Sequence, residues 1–247
     1  MVGEIFVSGL RYDIYNVNEV LRQEKKFLIG LPDYYYHSGN LAKFMLEDPH
    51  NRGDGYPIRS LYFDSLEDRD FQEKMDGVAV RRKIRLRCYG PNSDFALLEV
   101  KQKEANLQKK RSLRLSRDAA VRLAQGDYGV LLSLQEPLAQ ECYAIMNIYG
   151  YQPRSVVEYR RRAFIARENK IRVTFDHHIT GTESGFDIFD STLPQYPVQD
   201  TSLVVLEVKY NGFLLSYIKD MLSNCAAGEL SVSKYCLSRT VGKHFNF

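Results

Sequence analysis

Residues 83–90 read KIRLRCYG, with Lys83, Arg85 and Arg87 at every second position and Ile84, Leu86 and Cys88 between them. In an extended strand, successive side chains point to opposite faces. One face of this strand therefore carries three cations and the other is apolar. What the charged face meets decides the fold.

The same alternation recurs along the chain. Period-two runs occupy Gln23–Ile29, Ile58–Asp64, Ala79–Tyr89, Phe95–Lys103, Arg111–Leu115, Ser155–Arg167, Lys170–Ile179 and Ser202–Tyr210. Glu99, Lys101 and Lys103 share one face, with Leu98 and Val100 on the other. Tyr159, Arg161 and Ala163 oppose Arg160, Arg162 and Phe164. Arg172, Thr174 and Asp176 oppose Ile171, Val173 and Phe175, and Val205, Glu207 and Lys209 oppose Leu206, Val208 and Tyr210. Eight such runs predict an α+β fold: an eight-stranded antiparallel barrel or tunnel with flanking helices, formed as one domain over residues 1–247. Helical patterns fall at Asp33–Leu46, Ser116–Gln125, Pro137–Tyr149 and Phe213–Cys225, and a last helix starts near Ser233. Ser116 is placed to cap its helix, and Pro137 and Gly150 bracket theirs. Asp48–Gly55 and Thr180–Gly185 read as loops.

A charged strand face in an antiparallel sheet ordinarily faces water. Two features oppose that reading. Arg and Lys dominate these faces, although like charges on adjacent strands repel. The helices also need apolar surface to pack on, and the other strand faces supply it. With helices outside, the charged faces point inward. Buried like charges are costly, so such an interior must be wet and must hold a polyanion. Linear polyphosphate or a nucleoside triphosphate has the right shape and offers the acceptors that guanidinium and ammonium groups bind. Glu24, Glu99 and Glu207 each lie two positions from a lysine on the same face. Each is either an ordinary ion-pair partner or a ligand for Mg²⁺ or Mn²⁺ bridging phosphate oxygens.

Composition agrees with a focused anion site. The net charge is only +3, with 44% hydrophobic and 26% charged residues. Yet Arg81 to Arg114 holds eleven Lys or Arg against Asp94, Glu99 and Glu104, a local +8 that leaves −5 for the rest. Cys88, Cys142, Cys225 and Cys236 show no metal-ligand spacing and read as reduced, buried thiols of a cytoplasmic protein. MVGEIFVSGL lacks the pattern of a secretory signal, and no apolar run is long enough to span a membrane.

Several stretches together resemble the catalytic domain of the vacuolar transporter chaperone (VTC) family, within the triphosphate tunnel metalloenzymes. They are RQEKKFLI (22–29), IRSLYFD (58–64), EKMDGVAVRRKIRLRCYG (73–90), LLEVKQK (97–103), VVEYRRRAF (156–164), KIRVTFD (170–176), VVLEVKYNG (204–212) and SVSKYCLSR (231–239). The wider superfamily often opens with ExExK. Here Arg22 replaces the first Glu, which leans towards the VTC branch and away from thiamine triphosphatases and adenylyl cyclases.

The resemblance implies a tunnel that holds a nucleotide's triphosphate and passes the γ-phosphoryl of ATP to a growing polyphosphate chain, with Mn²⁺ or Mg²⁺. By motif position it implies catalytic roles for Arg85, Arg87, Arg161, Arg172 and Lys234. It implies substrate binding by Lys26, Lys101, Lys110, Tyr159 and Ser233, with Lys109 the alternative to Lys110, and a metal held by Glu207. ATP and polyphosphate or pyrophosphate are the expected partners. Eukaryotic relatives carry a phosphate-sensing helical domain and membrane helices; neither is recognised here, so any membrane association would come through a separate partner protein.

Three rival functions fit parts of the pattern: a triphosphatase using water as acceptor, a non-catalytic polyphosphate- or nucleotide-binding module, and a nucleic-acid binder using the 81–114 cluster. The last ranks lowest, because few aromatic residues share the cationic faces for base stacking. His177 and His178 read as solvent-exposed residues at a strand end in preference to a metal site.

Overall fold

The computed structural model describes residues 22–104, 107–223, 225 and 233–243. In chain order the elements are β1 (Arg22–Gly30), α1 (Leu31–Phe44), β2 (Leu46–Glu47), β3 (Tyr56–Ser65), α2 (Arg69–Met75), β4 (Val80–Cys88), β5 (Phe95–Glu104) and β6 (Leu107–Ser116). Then follow α3 (Arg117–Ala124), α4 (Pro137–Ile148), β7 (Tyr151–Ile165), β8 (Arg172–Thr182), β9 (Tyr196–Pro197), β10 (Leu203–Asn211), α5 (Ser216–Ser223) and α6 (Lys234–Lys243).

Eight long strands pair antiparallel in the order β1-β10-β8-β7-β3-β4-β5-β6, with β2 added to β7 and β9 to β8. The path is the expected tunnel-like sheet with flanking helices. Its seam differs from a fully closed barrel: among the described residues, the terminal strands β1 and β6 do not pair. The sheet still curls enough for charges on β5 and β1 to face each other, since Lys101 feels Glu24 and Glu207.

Helices take the apolar strand faces, as the alternation requires. Ile84, Leu86, Cys88, Leu98 and Val100 pack against Ala120, Leu123, Ala139, Cys142 and Met146 of α3 and α4. Phe27, Ile29, Val173, Phe175, Leu206 and Val208 pack against α1 and α5 through Tyr34, Leu41, Ile218 and Met221. Ser116 caps α3, its hydroxyl accepting from Ala119 N–H at 3.2 Å. Gly150 ends α4 at φ +56. The inward faces of β3, β7, β8 and β10 meet Tyr235 and Cys236 of α6.

Several expected boundaries move. The strand expected at 111–115 extends to Leu107–Ser116, and the loop expected from Thr180 begins only after β8 ends at Thr182. The helix expected over 213–225 is the shorter Ser216–Ser223. Helix α1 starts at Leu31 and stops at Phe44, where β2 begins. Helix α2 has no counterpart in the periodicity. The buried Asp64 carboxylate anchors it, accepting N–H bonds from Asp70 at 2.8 Å and Phe71 at 2.9 Å, and the Tyr235 hydroxyl at 2.6 Å. The cysteines are unpaired, with Cys88, Cys142 and Cys236 buried. His177 departs from expectation: it is 2% exposed, its Nε2 bonded to the Asp54 carbonyl at 2.9 Å and its Nδ1 2.7 Å from that of the exposed His178.

Candidate active site

The charged strand faces converge inside the curled sheet. On β4 and β5, Arg85 Nε donates to Glu99 at 2.7 Å and Arg85 Nη1 to the Tyr62 hydroxyl at 3.0 Å. Lys110, reaching over from β6, also pairs with Glu99, and Arg87 lies 3.6 Å from it. Glu99 is fully buried. Burial alone would raise its pKa, but Arg85, Arg87 and Lys110 bring it down to about 2. Lys110 rather than Lys109 is thus the lysine of that strand that pairs with Glu99.

Across the lumen, Arg161 on β7 grips Asp176 on β8 with two bonds of 2.6 and 2.7 Å. Lys234, at the start of α6, reaches the same carboxylate at 2.6 Å and sits 4.7 Å from the centre of the Tyr159 ring. Burial works against ionised Asp176, yet Arg161 and Lys234 hold its pKa at about 2. Arg172 donates to Asp48 at 2.8 Å and to the Tyr56 hydroxyl at 3.1 Å.

Between these groups lies a third node. Lys26 contacts Glu24 at 2.5 Å and Glu207 at 3.6 Å, while Lys209 contacts Glu207 at 2.5 Å and Glu24 at 3.5 Å. Burial disfavours ionised Glu207, but Lys209, Lys26, Arg161 and Lys234 hold its pKa far below the usual carboxylate range. Among the described residues, no three His, Cys, Asp or Glu side chains form a ready metal-ligand group. The donors that are present still suit a hard divalent cation. Two ionised carboxylates, Glu24 and Glu207, share the same lysines, and Mg²⁺ or Mn²⁺ at a phosphate site is typically held by one or two carboxylates with substrate oxygens completing the shell.

Lys101 stands apart. No carboxylate lies within ion-pair distance of it among the described residues. Burial and the charges of Arg85 and Lys209 depress its pKa well below that of an ordinary lysine. Lys83 is likewise inside, donating to Ser233 Oγ at 2.7 Å.

Every site residue expected from the sequence thus lies on this interior: Lys26, Arg85, Arg87, Lys101, Lys110, Tyr159, Arg161, Arg172, Glu207, Ser233 and Lys234. Sequence reasoning omitted Lys83, Lys209, Tyr62 and Asp176. Alternation carried the signal for Lys83, Lys209 and Asp176, which share faces with chosen residues. Tyr62 gave no charge signal. The sequence also undercounted aromatic residues on these faces, since Tyr56, Tyr89 and Phe95 continue the inward rows at one mouth.

This architecture, a curled antiparallel sheet with a cationic interior and helices outside, is that of the triphosphate tunnel proteins. A putative adenylate cyclase from Bacillus halodurans shares the fold, with a TM-score of 0.52 at 10% identity over 86% of this chain and 95% of that one. A putative adenylyl cyclase from Hippeastrum, described as having a dominant triphosphatase activity, gives 0.49 at 12% identity over 88% of this chain and 95% of its own. The VTC domain model matches residues 21–241, and the chain belongs to that family. No curated protein matches the sequence. Among the described residues, no helix is long and apolar enough to cross a membrane.

Proposed function

We propose that this domain is a metal-dependent polyphosphate polymerase that transfers the γ-phosphoryl group of ATP to a polyphosphate or pyrophosphate end inside the cationic lumen. One observation carries the reading. Inward cations so outnumber inward carboxylates that, among the described residues, none lies within ion-pair distance of Lys101 and the one nearest Arg87 is 3.6 Å away. A lumen of that charge is stable only around water and a polyanion. A triphosphate threaded through it would meet Lys26, Lys101, Arg85, Arg87, Arg161, Arg172 and Lys234 along its length.

The protein's own part is positioning and charge stabilisation. Guanidinium and ammonium groups fixed by Glu99 and Asp176 need no reorganisation as charge builds on the transferred group and leaving oxygen. Ser233 and Tyr159, held beside Lys83 and Lys234, would add a hydrogen bond and shape the channel. Glu207, with Glu24 beside it, would hold Mn²⁺ or Mg²⁺, which supplies neutralisation and alignment of phosphate oxygens when bound. Any coupling to a membrane protein would lie outside this lumen.

The test is incubation with γ-labelled ATP and Mn²⁺, with and without pyrophosphate primer, followed by a polyphosphate gel. A ladder of long chains is expected. Free phosphate without chains would make the enzyme a triphosphatase. Nucleotide binding without turnover would make it a binding module.

A further inference from the structure

At one mouth of the lumen the inward rows change character. On β4 the row is Lys83, Arg85, Arg87, and Tyr89 follows just past the end of the strand. On β5 the row that carries Glu99 and Lys101 begins with Phe95, and on β3 the inward row begins with Tyr56. The loop before β3 adds His50. The His50 and Tyr89 rings are within 14° of parallel, with centroids 6.5 Å apart. Tyr56 lies 5.9 Å from His50 and 6.3 Å from Tyr89, and Phe95 lies 6.3 Å from Tyr89. The Arg114 guanidinium sits 3.5 Å over Phe95.

Core packing accounts for Tyr56, which is 8% exposed and joins the inner cluster with α6, but not for Tyr89 and His50. The two larger apolar cores lie on the opposite strand faces, under the helices. Two of the rings are open to water: Tyr89 is 41% exposed, and the His50 side chain is 78% exposed. The cluster is also wired to the phosphate-facing cations. Arg172 bonds the Tyr56 hydroxyl and Asp48, and Asp48 bonds His50 Nδ1 at 2.9 Å. Tyr89 follows Arg87 by two residues, just past the end of β4. Tyr89 is fixed by its N–H bond to Ser93 Oγ at 3.0 Å.

We infer that His50, Tyr89 and Phe95, braced by Tyr56 and Arg114, form a nucleobase platform, so that the site selects nucleoside triphosphates over inorganic triphosphate. The inference rests on the proposed triphosphate site and adds the aromatic end of the substrate to it. Stacking is tolerant of base identity because every base offers a π face. Purines, with the larger face, should bind more tightly than pyrimidines.

The test is calorimetric titration of the whole domain with Mg²⁺ present, using β,γ-imido ATP and tripolyphosphate as separate ligands. Wild type should bind the nucleotide more tightly. Tyr89→Ala should lose about tenfold in nucleotide affinity, within the range of one base–aromatic stack, and keep its affinity for tripolyphosphate. That retained affinity also reports an intact fold. Tyr89→Phe should bind nucleotide like wild type. If Tyr89→Ala and His50→Ala both leave nucleotide affinity unchanged, or if both ligands weaken equally, the platform is wrong while the tunnel stands. If wild type binds neither ligand, the tunnel reading falls and the platform with it.

Discussion

Arg87 has less to hold than its strand neighbour Arg85. It is 9% exposed, its nearest carboxylate is 3.6 Å away, and its Nε has no hydrogen-bond partner among the described residues. Arg85, by contrast, is committed to Glu99 and Tyr62. The two should therefore behave differently. Arg87→Ala should weaken triphosphate binding by about 1.5–3 kcal/mol, the scale of a charge-assisted hydrogen bond, with little change in melting temperature. Arg85→Ala should weaken binding similarly and also destabilise the fold, because it uncovers a buried carboxylate. Titration and thermal melts on both variants separate these effects. Glu207→Gln should abolish turnover and keep a folded circular dichroism spectrum, with a lowered melt because the near-isosteric amide leaves Lys26 and Lys209 short of a counter-charge. Full metal-dependent activity in that variant would remove Glu207 from the metal site. Alternation alone marked Arg85, Arg87, Lys101, Arg161, Arg172 and Glu207. Lys26 and Lys234 came only from the family resemblance, because Lys234 sits before a helix where a solvated lysine is the ordinary expectation.

Helix α2 shows what strand and helix patterns miss. Its seven residues are too few to display an apolar stripe, and a contact distant in sequence places it: Asp64 on β3 accepts its first N–H groups and the Tyr235 hydroxyl of α6. Asp70, in the first turn of α2, is 1% exposed and bonds the Tyr151 hydroxyl at 2.7 Å. Burial, with the charge of Asp64 adding to it, pushes its pKa up to about 7 despite that hydrogen bond. A carboxyl whose folded pKa is raised contributes stability below its unfolded value and loses it as pH rises through the folded one. The loss should fall between about pH 4 and pH 7. Asp70→Asn, which keeps the acceptor and removes the charge, should melt above wild type near pH 8, and the gap should close near pH 4. Equal melts at both values would mean that Asp70 is not a buried, neutral carboxyl. The loop that carries Asp48 and His50 has a different constraint. Gly55 has φ +117, and a Cβ there would collide with the Arg161 carbonyl. The start of β6 escaped notice because Leu107, Gln108, Lys109 and Lys110 do not alternate, although the ladder with β5 continues through them.

The molecule's small net charge conceals a strong internal separation. Cations in the lumen exceed the inward acids Glu24, Glu99, Asp176 and Glu207 that pair with them, so the empty interior should be self-repelling. A bound polyanion then stabilises the folded state by mass action. Tripolyphosphate at about 100 times its dissociation constant should add about 2.7 kcal/mol, or roughly 5–10 °C in melting temperature for a chain of this size. Added salt should shrink the shift by screening. The count of long strands was legible because period-two alternation is a local property; their order in the sheet was not read from it. Nor was the lack of pairing between β1 and β6 among the described residues, because closure depends on accumulated twist and stagger that no single strand encodes.

The most direct test of the account is a crystal structure of the domain with tripolyphosphate and Mn²⁺. The account predicts phosphate density inside the curled sheet, within hydrogen-bond reach of Lys26, Arg87 and Lys101, with the metal against Glu207. Phosphate bound only to outer basic residues such as Arg81 and Lys109, with the lumen holding water alone, would contradict it.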